Sequence, residues 1–167
     1  VYLYAKPKVH IRDIWLKAEL AEGNTTGLLT PIVKLDGETD GASVALVVTD
    51  PEGYAVYEGP AAGDTIEIEG IQPWSHAAPV LYHAVLTLRD ADGVLQEVVP
   101  YDIGFRRFEM INGVMCLNGA RVVFNGVNRH EWNADRGRAI GADDMHAAMA
   151  VFKKNNINAV RTCHYPD

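Results

Sequence analysis

Cysteine is nearly absent from this sequence, with two residues among 167 and no CxxC spacing. Cys116 and Cys163 therefore predict neither a disulfide framework nor a zinc site, because both need more ligands at closer spacing. Two free thiols suit a reducing compartment, and we expect a cytoplasmic protein.

Long apolar runs are also missing. No stretch of 18 or more apolar residues occurs, so no membrane-spanning helix and no membrane partner are expected. The first residues, VYLYAKPKVHIRD, lack the basic region, apolar core and cleavage site of a signal peptide. Because the sequence does not begin with Met, we expect an excised piece of a longer chain.

Basic residues are scarce in the first two thirds of the sequence. The net charge is −7, and residues 1–105 hold 6 basic and 16 acidic residues, whereas residues 106–167 hold 9 and 6. The acidic part would repel phosphate, so no nucleic-acid partner is expected. The change of charge predicts one domain at residues 1–105 and another at residues 106–167.

The first 105 residues read as short strands separated by turn sequences such as DGETDG, DPEG and DADG. Strict alternation between Ile14 and Leu20 is typical of a half-buried strand. Seven strands at this spacing predict a mainly β protein with an immunoglobulin-like antiparallel sandwich. The predicted strands cover 14–20, 28–35, 43–49, 54–58, 65–69, 81–89 and 94–103.

No catalytic group is evident in this sandwich. His10, His76 and His83 are isolated and are interpreted as surface or core histidines. Trp74 could stack on a sugar, but a Trp that plugs one end of the sandwich is the favoured interpretation.

The last 62 residues change pattern. Two Asn-Gly pairs, at 112–113 and 118–119, predict two-residue hairpin turns between strands at 107–111, 114–117 and 121–126. An apolar stripe with period 3.6 then predicts a helix that starts near Asp143 or Asp144 and ends at Lys153 and Lys154. A short apolar strand at 157–160 follows.

A strand, a helix and a strand form one βαβ unit with parallel strands. Polar residues 128–131 follow the first predicted strand, and Arg161 and His164 follow the second. Because parallel neighbours end on the same side of a sheet, where α/β folds carry their sites, these side chains predict a functional site.

Three interpretations other than a binding site are considered for these residues. HEWNA is not HExxH, which argues against a metalloprotease. Cys163 and His164 could be a thiol nucleophile and its base, but neighbours on a strand face opposite ways. Arg161 could instead pair with a carboxylate beneath the strand ends and serve only the structure.

NAVRTCHYP, residues 158–166, resembles the signature of family 2 glycoside hydrolases. GVNRHE at 126–131, DIGFR at 102–106, and PWS and PVLY at 73–82 resemble further motifs of this family, in the same order. Arg129 and FEMINGVMCLNG are most similar to the large multidomain bacterial β-galactosidases, since β-glucuronidases of the family often carry Lys in place of Arg129.

The resemblance implies a sandwich followed by the first strand, helix and second strand of an incomplete (β/α)₈ TIM barrel. It implies retaining hydrolysis of terminal β-D-galactosides, lactose-like substrates, by two glutamates beyond Asp167. The chain alone is therefore expected to be inactive, with no catalytic residue and no metal ligand of its own. Mg²⁺, with Na⁺ as a further candidate, would be bound elsewhere in the longer protein.

Three residues inherit roles from the resemblance. His130 would stabilise the oxocarbenium-like transition state, Arg161 would hold the nucleophilic carboxylate ionised, and His164 would bind sugar hydroxyls. Because Arg161 and His164 should face opposite ways on a regular strand, the backbone is expected to leave strand geometry near Thr162 and Cys163.

Two alternatives remain open: a β-glucuronidase of the same family, and a non-catalytic immunoglobulin-like interaction module. The expected partners are the galactoside, the remaining domains of the longer chain and a second copy of this chain. A homo-oligomer is expected because two chains could pair their βαβ pieces and bury apolar surface mutually.

Overall fold

The computed structural model describes residues 3–164. The chain forms two compact units that divide between Ala120 and Arg121, and each is described by itself. The predicted domains, 1–105 and 106–167, divide the chain fifteen residues earlier, at the change of charge. That assignment stays a prediction.

Seven strands of the first unit form two antiparallel sheets, as predicted for a sandwich. One sheet has the order β1-β2-β5 and the other the order β4-β3-β6-β7. The strands are β1 (Val9–Leu20), β2 (Thr26–Gly37), β3 (Ser43–Thr49), β4 (Ala55–Pro60), β5 (Ile66–Glu69), β6 (Tyr82–Arg89) and β7 (Leu95–Ile103).

The core of the sandwich follows from alternation along the strands. Alternate residues of β1, including Ile14 and Leu16, pack against the buried side chains, while Trp15 between them is exposed. Phe105 is fully buried, and a Cβ on Gly27 would lie 2.7 Å from its ring, so only glycine fits there. The buried core comprises Leu20, Leu29, Leu46, Val48, Ile68, Ile71, Tyr82, Ala84, Leu86, Ile103 and Phe105.

A small sheet with the order β10-β9-β8 follows, made of β8 (Phe108–Ile111), β9 (Val114–Leu117) and β10 (Ala120–Arg121), and the division between the units falls within β10. Both predicted Asn-Gly turns are confirmed. Asn112 and Asn118 have φ of 50° and 54°, and Gly113 and Gly119 have 78° and 83°. Positive φ at both central residues is what a type I′ hairpin turn requires.

Arg107 ties this small sheet to the sandwich. Its Nη1 donates to the carbonyl oxygens of Leu20 at 3.1 Å and Ala21 at 2.7 Å, at the end of β1. Its backbone N–H donates to Asn118 Oδ1 at 2.9 Å, and Asn118 Nδ2 donates to the Trp74 carbonyl at 3.0 Å. The small sheet is therefore held to the sandwich by directional bonds as well as by the chain.

Trp74 contacts its neighbours in the first unit, and the favoured interpretation, a Trp that plugs one end of the sandwich, stays a prediction. The guanidinium of Arg106 lies 4.8 Å from the centre of its ring, and the backbone N–H of Trp74 donates to the Phe105 carbonyl at 2.9 Å. A Cβ on Gly104 would lie 2.8 Å from the indole. One face of the indole is thus occupied by a cation and its edge by backbone.

We predict that Arg107→Ala lowers the free energy of unfolding by about 1–3 kcal/mol, because two carbonyl oxygens at the end of β1 lose a charged donor. Urea denaturation followed by tryptophan fluorescence measures the change. Arg89→Ala is the matched control, since exposed Arg89 makes one bond, to the Gly93 carbonyl. Equal losses in the two variants would contradict a special role for Arg107.

The second unit contains β11 (Gly126–His130), α1 (Ala142–Lys154) and β12 (Ala159–Cys163), and the two strands are parallel. The predicted strand at 121–126 is wrong, because the apolar residues at 122–124 lie in irregular structure before β11. The predicted strand at 157–160 likewise begins two residues too early. Both predictions followed runs of apolar residues. The hydrogen bonds between β11 and β12 instead begin where the backbone N–H and C=O groups of both strands can pair with each other.

Helix α1 has the predicted charge pattern, with acidic residues in its first turn and basic residues in its last. Asn156, just after it, adopts a left-handed φ of 55°. No residue of α1 is buried, and Met145 and Met149 of the predicted apolar stripe are 41 % and 43 % exposed. The predicted homo-oligomer, which would cover such a stripe, stays a prediction. No helix among residues 3–164 has the length and apolar character needed to cross a membrane.

Asp144 fixes the start of α1. Its carboxylate accepts hydrogen bonds from the Gly141 N–H at 2.9 Å and from Asn133 Nδ2 at 2.8 Å, and it pairs with Arg136. These contacts, the Gly141 bond foremost, lower the pKa of Asp144 from its ordinary 3.8. The loop from β11 to α1 is thereby attached to the first turn of the helix.

We predict that acid loosens this loop. Because the pKa of Asp144 is lower in the folded state, its stabilising contribution is present above pH 3.8 and is lost as pH falls through the folded-state pKa. The protection of amides 133–146 against hydrogen exchange, relative to the intrinsic rate at each pH, should fall below that pH. Asp144→Asn should weaken the acid dependence, whereas Asp143→Asn, at an exposed position of the same turn, should retain it; the reverse pattern would contradict the assignment.

Candidate functional site

Two asparagines set where the parallel strands begin. Asn158 Oδ1 accepts from the Asn125 N–H at 2.8 Å, and Asn158 Nδ2 donates to the Val123 carbonyl at 2.8 Å. Asn125 Nδ2 donates in turn to the Asn156 carbonyl at 2.8 Å. These side chains satisfy the backbone groups ahead of the ladder, which then starts with Gly126 opposite Ala159.

The register of this ladder decides which side chains share a face. Asn128 lies opposite Arg161, and His130 lies opposite Cys163. Because side chains alternate along a strand, these four positions point to one face of the β11–β12 pair, and Arg129 and its partner point to the other. The face therefore combines an amide, a guanidinium, an imidazole and a thiol.

Arg161 contacts the residue at the end of the chain's described part. Its Nη1 lies 3.1 Å from His164 Nδ1 and 3.3 Å from Cys163 Sγ. A guanidinium has only donors, so Nδ1 of His164 is the acceptor and its proton resides on Nε2. His164 therefore presents an N–H donor on the side away from Arg161.

His130 completes the group. Its ring centre lies 5.1 Å from that of His164, and the planes meet at 81°, an edge-to-face arrangement. His130, Arg161 and His164 are all exposed, whereas Cys163 between them is buried. The structure thus brings together the three residues predicted for substrate contact; their roles stay predictions.

The positions of these residues differ in part from the sequence interpretation. Asn128, Arg129 and His130 were expected to follow the first strand, but they belong to β11. Arg161 was expected just after the second strand and lies within β12, while His164 does follow it. Both strands begin later than predicted, because the Asn125–Asn158 bonds displace the start of pairing.

The expected departure from regular strand geometry is confirmed, one residue later than predicted. Pairing continues through Cys163, and His164 lies in a bend. Arg161 and His164, which strict alternation would separate, consequently touch. Cys163 and His164 also lie close together, because the bend supplies the departure from the strand that this pair was expected to need; a nucleophile and its base stays an untested interpretation.

The interpretation of Arg161 as a structural partner of a buried carboxylate finds no support among residues 3–164, where its contacts are His164 and Cys163. Glu131, the carboxylate nearest in sequence to His130, pairs instead with Arg129 at 3.4 Å. The exposed face therefore offers hydrogen-bond donors to a ligand. Donors of this kind suit the hydroxyl and ring oxygens of a sugar.

One cluster among the described residues could hold a metal ion. Single ligand atoms from His130, Cys163 and His164 lie within 4.8 Å of one another. Nitrogen and sulfur donors do not fit Mg²⁺ or Na⁺, which take oxygen ligands. This cluster therefore does not fit the Mg²⁺ or Na⁺ that the family resemblance implies for the longer protein.

Sequence reasoning missed two contributors to the site, Asn125 and Asn158, and the strand position of a third. Asn128 was expected just after the first strand, whereas the register places it within β11, opposite Arg161. Asn125 and Asn158 act through hydrogen bonds to backbone groups, and such bonds do not change the spacing of apolar residues from which the strands were predicted. The repeated Asn at both strand entrances was the available signal.

Family models cover almost all of the chain. The model described as "Glycosyl hydrolases family 2" matches residues 9–106, and "Glycosyl hydrolases family 2, TIM barrel domain" matches residues 108–167. The chain belongs to glycosyl hydrolase family 2. The resemblance seen in NAVRTCHYP and GVNRHE is thereby confirmed, as is a mainly β fold in which a sandwich precedes the start of a TIM barrel.

Curated relatives in this family are β-galactosidases. The chain is 45 % identical over its whole length to the β-galactosidase of Streptococcus thermophilus, of which it covers 17 %. It is 41 % identical to the β-galactosidase large subunit of Lactobacillus acidophilus, of which it covers 28 %. The chain thus spans well under a third of these relatives.

Solved structures in the same family resemble the chain in fold. The β-glucuronidase from Ruminococcus gnavus in complex with D-glucuronic acid matches 96 % of this chain and 27 % of its own, with a TM-score of 0.83 and 25 % identity. Bacteroides uniformis β-glucuronidase 3 matches 97 % of this chain and 20 % of its own, with a TM-score of 0.79 and 29 % identity.

Proposed function

We propose that the chain supplies the first sugar-contacting residues of a retaining β-galactosidase that hydrolyses terminal β-D-galactosides of the lactose type. The observation that carries the proposal is the 45 % identity, over the whole chain, to a β-galactosidase. The joint placement of His130, Arg161 and His164 on one exposed surface is consistent with it. The match of residues 108–167 to a barrel domain favours an enzyme over an interaction module.

The donors on this face account for binding and orientation. His164 would donate from Nε2 to a sugar hydroxyl, and Arg161, through its remaining N–H groups, would hold a carboxylate ionised beneath the sugar. His130, stacked edge to face on His164, would stand beside the sugar ring as positive charge develops there. A contact lowers the barrier only where it is stronger in the transition state than in the ground state, and this is the role proposed for His130 and His164.

Bond cleavage needs groups that this face does not offer. A retaining glycosidase uses two carboxylates about 5 Å apart, one as acid and base and one as nucleophile. Glu131, the nearest candidate in sequence, is held by Arg129. We infer that both glutamates, and the Mg²⁺ and Na⁺ sites of the longer protein, belong to other segments.

A second candidate is a β-glucuronidase, because the solved structures that resemble the chain include β-glucuronidases at 25–29 % identity. The curated β-galactosidases, at 40–45 % identity, favour the galactoside. Nitrophenyl galactoside and nitrophenyl glucuronide, offered separately to an enzyme containing this chain, distinguish the two. Faster turnover of the glucuronide would overturn the first proposal.

We predict that the 167-residue chain, purified alone, hydrolyses no nitrophenyl galactoside above the buffer blank. Nucleophilic catalysis and acid–base catalysis each raise the rate by orders of magnitude. In the proposed function, the glutamates that perform them lie in other segments of the longer protein. A preparation from cells that lack their own galactosidase is the control for contamination. Turnover that persists in that preparation would contradict the assignment.

We also predict the effect of His164→Phe in an enzyme containing this chain. Turnover should fall about 10–100-fold, the size expected for one hydrogen bond to a developing charge, while KM changes less. Inhibitors that resemble the transition state should weaken more than simple galactosides. His146→Phe, on exposed α1, is the control; equal changes in KM and inhibitor affinity with unchanged turnover would show that His164 binds only the ground state.

A further inference from the structure

The β11–β12 register assembles a set of metal ligands that lies outside the carboxylate chemistry of the family. Ligand atoms of His130, Cys163 and His164 lie within 4.8 Å of one another. His130 and Cys163 lie opposite each other on the two strands, and the bend at His164 brings the third ring close to them. Imidazole nitrogen and thiolate sulfur are the donors that Zn²⁺ takes in proteins.

The spacing suits a tetrahedral ion after small side-chain movements. Zn–N and Zn–S bonds of about 2.0 and 2.3 Å place the ligands of one ion roughly 3.3–3.8 Å apart. Both histidines are exposed, so their rings have room to close the remaining distance once Arg161 releases His164, while buried Cys163 provides a fixed donor at the base. Three protein ligands would leave a fourth position for water.

A cation already lies against two of these ligands. Arg161 Nη1 is 3.1 Å from His164 Nδ1 and 3.3 Å from Cys163 Sγ. A metal ion bound to these residues would repel the guanidinium and displace it from both contacts. Because Arg161 is exposed, its side chain has solvent to move into.

We propose that His130, Cys163 and His164 form a binding site for Zn²⁺ or a similar thiophilic divalent ion, and that this ion and the Arg161 guanidinium occupy the position alternately. The Cys163 thiol gives its proton to solvent as the S–Zn bond forms, with no change of oxidation state. Through the proposed function, the bound ion would also remove sugar-contacting donors and inhibit the enzyme.

The test is a metal titration of the 167-residue chain. One Zn²⁺ should bind per chain by calorimetry, and Co²⁺ as a probe should give thiolate-to-metal charge-transfer absorption. Mg²⁺ should give neither signal, because it prefers oxygen ligands. In NMR spectra, Zn²⁺ should shift the ring signals of His130 and His164 and leave those of His146 unmoved, a readout that needs no variant.

Variants assign the ligands. Cys163→Ser should abolish the Co²⁺ charge-transfer band, and His130→Gln and His164→Gln should each weaken Zn²⁺ binding at least about tenfold. Cys116→Ser and His146→Gln are the matched controls and should bind as the unmodified chain does. A band that survives Cys163→Ser, or that is lost in Cys116→Ser, would overturn the site.

Arg161→Gln tests whether the metal ion and the guanidinium compete for one position. Removing the positive charge of Arg161 should tighten Zn²⁺ binding roughly tenfold, the effect of one neighbouring charge. Unchanged or weaker affinity would overturn that part of the proposal. Metal binding is measured without sugar, so it stands or fails independently of the galactosidase assignment. Zn²⁺ that binds the chain but leaves galactoside hydrolysis unaffected would overturn only the predicted inhibition.

Discussion

The bonds between Asn125 and Asn158 are the constraint on which the rest of the site depends. They occupy the backbone groups ahead of both parallel strands and so determine that Gly126 pairs with Ala159. A shift of either strand by one residue would turn its functional side chains to the other face. His130 and Arg161 share a face only because this starting point is fixed, and each asparagine acts through hydrogen bonds to backbone groups.

Arg161 then organises what the register has brought together. Its guanidinium orients His164 by filling the Nδ1 acceptor and lies against the sulfur of Cys163, so one side chain sets both the donor direction of an imidazole and the surroundings of a thiol. His130 and His164 would contact the sugar in the proposed function and the metal ion in the proposed Zn²⁺ site. One occupant would then exclude the other, because a metal ion needs the lone pair of a ring nitrogen and a sugar hydroxyl would accept the proton of one.

The sandwich was predictable from sequence because alternation and turn chemistry both report directly on local geometry. The Asn-Gly pairs at 112–113 and 118–119 demand positive φ, and they have it. The strand predicted at 121–126 failed because apolarity indicates burial, not ladder pairing, and Asn125 holds the backbone at that point. The contact between Arg161 and His164 follows from a bend. The sequence indicated that bend only because the roles implied for these two residues conflict with strand alternation. No sequence signal indicated that Cys163 and His164 lie close together.

The change of charge along the sequence and the division into compact units fall at different residues, because hydrogen bonds cross the point at which the charge changes. Charge shifts near residue 105, yet Arg107 and Asn118 bond back to the end of β1 and to Trp74, so the residues that follow the shift remain attached to the sandwich. The second unit, beginning at Arg121, keeps its α1 exposed and its polar face supplied with donors but no free carboxylate near His130 among the described residues. A surface of donors suits the binding and orientation of a sugar, whereas retaining hydrolysis uses a pair of carboxylates about 5 Å apart. In the proposed function this segment would therefore contact the sugar, and the reacting carboxylates would come from other segments.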